Sequence, residues 1–142
     1  MEQRLSLVTL GVADLARSIA FYEGLGWTRS FTGADGVAFF QMGGIGLSLY
    51  PADELAEDAG VPPRQGSGFR GIALAYNVRL HEDVDAIVAR MTACGGTVIK
   101  PPEEKLWGGY GGYVSDPDGH AWEIAWNPHF SIGDNGAISI PD

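Results

Sequence analysis

The chain has 142 residues, of which 45% are hydrophobic, and a formal net charge of −9, which predicts one domain large enough to bury a real core. That charge repels phosphate backbones and makes nucleic acid a poor partner. No polybasic cluster is present to hold an anionic membrane surface. One cysteine, Cys94, permits no intramolecular disulfide and predicts a reducing, cytoplasmic setting.

Residues 1–4 are polar, and the apolar run that follows is broken by Asp14 and Arg17. The start of the chain therefore predicts neither a signal peptide nor a membrane span. Residues 5–12 are apolar and β-branched and predict a strand. Asp14 is placed to cap a helix carrying Leu15, Ile19 and Tyr22 at helical spacing, closed by Gly24 and Gly26. Strands are predicted over 27–31, 37–42 and 45–50, with glycine-rich turns between them. Residues 51–68 hold Pro51, Pro62, Pro63 and several acids, a linker pattern with one helical turn near 53–59.

The pattern then repeats. A strand is predicted over 71–78, then a helix with Asp83 as cap and Val84, Ile87, Val88 and Met91 as its apolar stripe. Strands follow at 97–100, 110–115 and 121–126, the last after the tight turn Asp116-Pro117-Asp118-Gly119. The order strand, helix, three strands occurs twice, an internal duplication. The predicted fold is α+β: two βαβββ repeats, at about 5–51 and 70–128, forming curved sheets around a cavity. A linker covers about 52–69, and the tail, 129–142, has no strong period and reads as loosely held.

Alternation along the strands predicts two faces. Val8, Leu10, Ile72, Leu74 and Tyr76 form a bulky face that packs under helices. The other face carries Leu7, Thr9, Gly71, Ala73 and Ala75, and from the last strands Ile45, Leu47, Leu49, Ala121, Glu123 and Ala125. In the second repeat this face is almost all glycine and alanine, which leaves room for a ligand. The alternative is that Trp107 or Tyr110 fills the gap.

Three stretches carry a family resemblance: residues 9–22, from Thr9-Leu10-Gly11 to Phe21-Tyr22; Leu25-Gly26-Trp27; and residues 115–124, Ser115-Asp116-Pro117-Asp118-Gly119-His120-Ala121-Trp122-Glu123-Ile124. With the duplicated order, they resemble the vicinal oxygen chelate superfamily, which includes glyoxalases, extradiol dioxygenases and bleomycin-binding proteins. The resemblance implies metal ligands at Leu7, Leu47, Gly71 and Glu123. Only Glu123 has a donor side chain, so no metal and no cofactor is expected. His81, His120 and His129 read as surface or structural residues.

Glu123 has two readings. In an apolar cavity it serves as general base or polar anchor; otherwise a cation such as Arg4 or Arg70 pairs with it, or water reaches it. Trp107, in the bendable run Leu106-Trp107-Gly108-Gly109-Tyr110, suits stacking on a flat ligand. The expectation is a metal-independent protein binding a small, partly hydrophobic molecule, as bleomycin-binding relatives do. Its expected contacts are Leu7, Thr9, Leu47, Leu49, Ala73, Trp107, Tyr110 and Glu123. The alternatives are a glyoxalase-like lyase or isomerase with Glu123 as base, or a metal-dependent glyoxalase or dioxygenase. A homodimer is expected, since the curved sheets have edges to cover.

Overall fold

The computed structural model describes residues 1–63 and 65–141; Arg64 of the expected linker and Asp142 of the tail lie outside the described residues. The chain divides into two compact units, Met1–Gly68 and Phe69–Asp142. Each has the order read from the sequence, and the fold is α+β with two βαβββ repeats.

In the first unit, β1 (Leu7–Val12), α1 (Leu15–Gly24), β2 (Arg29–Ser30), β3 (Ala38–Met42) and β4 (Ile45–Pro51) build a four-stranded sheet ordered β1-β4-β3-β2. Asp14 caps α1, accepting from the Arg17 amide at 3.0 Å, which satisfies one of the helix's free first-turn donors. α1 buries Ser18, Phe21 and Tyr22. They share the core with Leu10, Val12, Ala38, Phe40, Leu47 and Leu49. Truncating one of the large members costs about 2–5 kcal/mol, since the cavity left behind adds to the lost transfer energy. The short α2 (Ala52–Asp58) follows β4 directly. It crosses the end of β1 at Gly11, where a Cβ would stand 3.2 Å from the Ala52 Cα.

In the second unit, β5 (Ala73–Val78), α3 (Asp83–Ala93), β6 (Thr97–Glu104), β7 (Tyr110–Ser115) and β8 (Ala121–Trp126) form a sheet ordered β5-β8-β7-β6. α3 lays Val84, Val88 and Met91 against the sheet face that holds Val114, Trp122 and Ile124. The N-cap of α3 is Glu82, with no side-chain bond, and Asp83 is the first helical residue. β6 runs four residues past its predicted end, through Pro101 and Pro102, with register shifts against β7. An edge strand tolerates proline because one row of its amides has no ladder partner. The bulky face of β5 is less covered than expected: Ile72 precedes the strand and is exposed, as is Tyr76.

The tail is more ordered than its sequence suggests. β9 (Ser131–Ile132) and β10 (Ile138–Ser139) pair antiparallel. The Arg79 guanidinium holds this hairpin, donating to the Ile132 and Gly133 carbonyls at 2.6 Å each.

Candidate functional site

The sheet of the second unit brings four side chains into one row across its open face. Lys100 on β6 is in register with Tyr113 on β7, Tyr113 with Glu123 on β8, and Glu123 with Ala75 on β5. Registered residues point to the same side. The row therefore reads ammonium, phenol, carboxylate, methyl. Around Glu123 the same face offers Ala73, Ala75, Ala121, Ala125 and Gly111, and both Ala73 and Ala75 are exposed.

Within this row the phenol and the carboxylate are paired. Burial raises the Tyr113 phenol above its ordinary value of 10.0, and the Glu123 charge and a side-chain hydrogen bond to Glu123 raise it further; Lys100 opposes them. The phenol stays protonated, and its place opposite Glu123 in register makes it the donor toward the carboxylate. Lys100 is itself paired with Glu103. Hydrogen bonds from Lys100 and then Lys105 hold the Glu103 carboxyl below its usual range.

Glu123 thus has a partner that the sequence reading did not name. Of the two cations considered for it, Arg4 bonds Glu2 at 2.6 Å and Ser6 at 2.8 Å. Arg70 lies 3.0 Å from His120 Nε2 and donates to the Asp118 carbonyl at 2.9 Å.

Register corrects the expected face of several residues. In the parallel pair β1–β4, Val8 stands opposite Leu47 and Leu10 opposite Leu49. Leu47 and Leu49 therefore share the core-facing side with Leu10, and both are buried. Leu7 and Thr9 do lie on the other side, together with the buried Ser48, whose hydroxyl donates to Thr9 Oγ1 at 2.6 Å. Leu7 is exposed and its Cδ1 sits over Gly46, 2.6 Å from where a Cβ would be. Phe39 joins this side opposite Ser48 and meets the exposed Phe31 ring at a centroid distance of 6.4 Å. Tyr110 is registered with Trp126 on the helix side. There its hydroxyl donates to Asp85 Oδ1 at 3.1 Å and its ring stacks on His81 at 4.3 Å. Ala73 and Glu123 share the open face as expected.

Trp107 stands in the loop between β6 and β7, which is closed by the Lys105 amide donating to the Gly109 carbonyl at 2.8 Å. Its ring packs against Gly109, so close that a Cβ there would fall 1.7 Å from Cζ3. His129 Nε2 donates to the Trp107 carbonyl at 3.2 Å.

The donors present do not fit the metal that the resemblance implies. Among the described residues, no three His, Cys, Asp or Glu side chains come together. The neighbours of Glu123 across the strands are a phenol and a methyl group. A single carboxylate falls short of the three or more protein ligands that a divalent site needs. Each histidine is engaged elsewhere. His81 lies 3.1 Å from Glu104 Oε1. His120 is buried, with Nδ1 2.8 Å from Asp116 Oδ2.

The second unit also has two surface pockets away from the open face. One, of about 380 Å³, is lined by Val78, Arg79, Trp126 and Phe130 among others, and the second, of about 270 Å³, by Tyr76, Asp83 and Ile87 among others. Both border Ile132 of the tail hairpin and Arg79, whose guanidinium is committed to that hairpin. They are gaps beside a docked hairpin, with Asn77, Asp83 and Asn127 as further polar lining.

Tyr113 and Ser48 are the residues that sequence reasoning missed. The signal for Tyr113 was present: the turn at 116–119 sets Ser115 opposite Ala121, and two further residues along each strand put Tyr113 opposite Glu123.

Three comparisons relate the chain to known proteins. The profile of the Glyoxalase/Bleomycin resistance protein/Dioxygenase superfamily matches residues 4–124. Among curated proteins, the chain is 30% identical over 120 residues to the anthracycline biosynthesis protein DauV of Streptomyces sp. (strain C5). That match covers 81% of this chain and 44% of DauV, so the chain spans less than half the length of this relative. Among solved structures it is similar to a glyoxalase-related enzyme from Fulvimarina pelagi, with 40% identity, a TM-score of 0.89, and coverage of 99% of this chain and 100% of that one. A glyoxalase/bleomycin resistance protein/dioxygenase from Nocardioides follows at 27% identity and a TM-score of 0.74, over 94% of this chain and 90% of that one.

Proposed function

The chain belongs to the glyoxalase/bleomycin resistance protein/dioxygenase superfamily, and on that premise we propose that it binds a small, partly aromatic, uncharged or cationic molecule without a metal. The binding surface is the open face of the second unit, with Glu123 as polar anchor. The observation that carries this reading is the Tyr113–Glu123 pair beside a floor of alanine and glycine. Small residues leave volume above the sheet, and a partly desolvated carboxylate gains from a ligand donor. A net charge of −9 disfavours anions. The relative named for anthracycline biosynthesis supports a flat aromatic ligand. Trp107, on its hairpin loop, is the proposed stacking contact. Cytoplasmic residence and a homodimer belong to the same proposal.

A second reading, an enzyme such as a lyase or isomerase with Glu123 as base, draws support from the 40% identity to a glyoxalase-related enzyme.

Tryptophan fluorescence titration against a mixed panel of aromatic amines, alcohols and carboxylates tests the proposal, repeated on Glu123→Gln and Trp107→Phe. Amines and alcohols should bind above carboxylates, and Glu123→Gln should weaken them about tenfold, as expected for losing a hydrogen bond to a charged group. Best binding by carboxylates, or no effect of Glu123→Gln, rejects the anchor role. Turnover of a compound that is lost in Glu123→Gln favours the enzyme reading.

A further inference from the structure

Resting on that reading, we infer that Tyr113 is the specificity-determining partner of Glu123 and tunes the site toward neutral hydroxyl-bearing aromatic ligands in preference to cationic amines. Tyr113 is a positioning residue here, acting through the carboxylate. The observation is the row itself. Tyr113 stands directly between Lys100 and Glu123 on one face, each one strand away.

The consequence for binding follows from what Glu123 already has. A carboxylate that faces a cavity alone demands a counter-charge, and a ligand ammonium would supply it. Here the protein supplies part of it: the phenol stands opposite the carboxylate in register as a donor, and a Lys100 ammonium lies one strand further on, itself paired with Glu103. A ligand need then add only a second donor to the remaining lone pairs, and a neutral hydroxyl does that without the desolvation cost of an ammonium. With its O–H directed to Glu123, the phenol oxygen also offers an acceptor, which suits a hydroxyl ligand and repels a carboxylate. The open floor at Ala73 and Ala75 leaves room for a flat ring beside the pair.

Calorimetry with three isosteric probes tests this: naphthylmethanol, naphthylmethylamine as its ammonium, and naphthoate. Wild type should bind the alcohol at least as tightly as the ammonium, and naphthoate weakest. Tyr113→Phe leaves Glu123 without its internal donor. The ammonium-to-alcohol affinity ratio should then rise about threefold to tenfold, the effect of one hydrogen bond to a partly exposed charged group. In a Glu123→Gln background the same Tyr113→Phe change should leave the ratio unmoved, because the tuning acts through the carboxylate. A purely structural role for Tyr113 would weaken both probes alike in both backgrounds. A wild-type preference for the ammonium of tenfold or more, or an unchanged ratio in Tyr113→Phe, overturns the inference and leaves the binding proposal standing if Glu123→Gln still weakens both probes. No wild-type binding of any probe, or binding indifferent to Glu123→Gln, overturns both.

Discussion

Asp116 grips His120 with both oxygens of one carboxylate: Oδ2 lies 2.8 Å from His120 Nδ1 and Oδ1 accepts the His120 amide at 2.8 Å. The guanidinium of Arg70, which can only donate, faces Nε2 at 3.0 Å. Nε2 is therefore the acceptor and Nδ1 carries the proton. Both Asp116 and His120 are buried, and this network fixes the turn that sets the β7–β8 register. His120→Ala should cost about 1–3 kcal/mol, since it strips a buried carboxylate of a partner. Thermal denaturation should show a loss on the order of 5 °C. An unshifted midpoint would mean that the turn holds without the histidine.

Tyr113 makes a pH prediction whose sign follows from its raised phenol. Folding favours the protonated form over the unfolded chain, where the ordinary value of 10.0 applies. The contribution is complete below that value and is lost as pH rises through the higher folded value. Wild type should therefore lose stability above about pH 10, and Tyr113→Phe less steeply. Spectrophotometric titration should show one phenol fewer in the late alkaline phase of the variant. An identical late phase in both proteins would remove Tyr113 from the paired state.

The donor set around Glu123 predicts that the purified protein holds no stoichiometric nickel, zinc, iron or manganese. Elemental analysis after dialysis checks this. One tightly bound metal per chain, lost on Glu123→Gln, would show that ligands converge on Glu123 in solution.

Association is expected to be two-fold. Each sheet leaves edge strands, β1 and β2 in one unit and β5 and β6 in the other, and exposed edges invite pairing unless covered. Light scattering at micromolar concentration should give about twice the 15.1 kDa chain mass. A clean monomer rejects the dimer.

The element order was legible because turns and periodicity recur: Asp14 caps a helix, glycines close helices, and Asp116-Pro117-Asp118-Gly119 makes a hairpin. The open face of the second unit was legible too, since Ala73, Ala75, Ala121 and Glu123 alternate cleanly with Leu74, Trp122 and Ile124. The first unit misled because alternation separates Leu47 and Leu49 from Ser48 along β4 without showing which of the two sides meets the helix. The parallel pairing with β1, a contact about forty residues away in sequence, settles it through Thr9 and Ser48. Tyr110 was misplaced for a different reason. Its loop position suggested a cavity mouth, whereas its pairing with Trp126 turns it toward α3 and Asp85.

The most direct test of where a ligand binds is alanine-methyl NMR during titration with naphthylmethanol. Shifts concentrated on Ala73, Ala75 and Ala121 of the open face, with Ala86 and Ala89 of α3 unmoved, are the predicted result. Shifts centred on Ala86, which borders the pocket beside the tail hairpin, or none at the open face at saturating probe, would contradict the site.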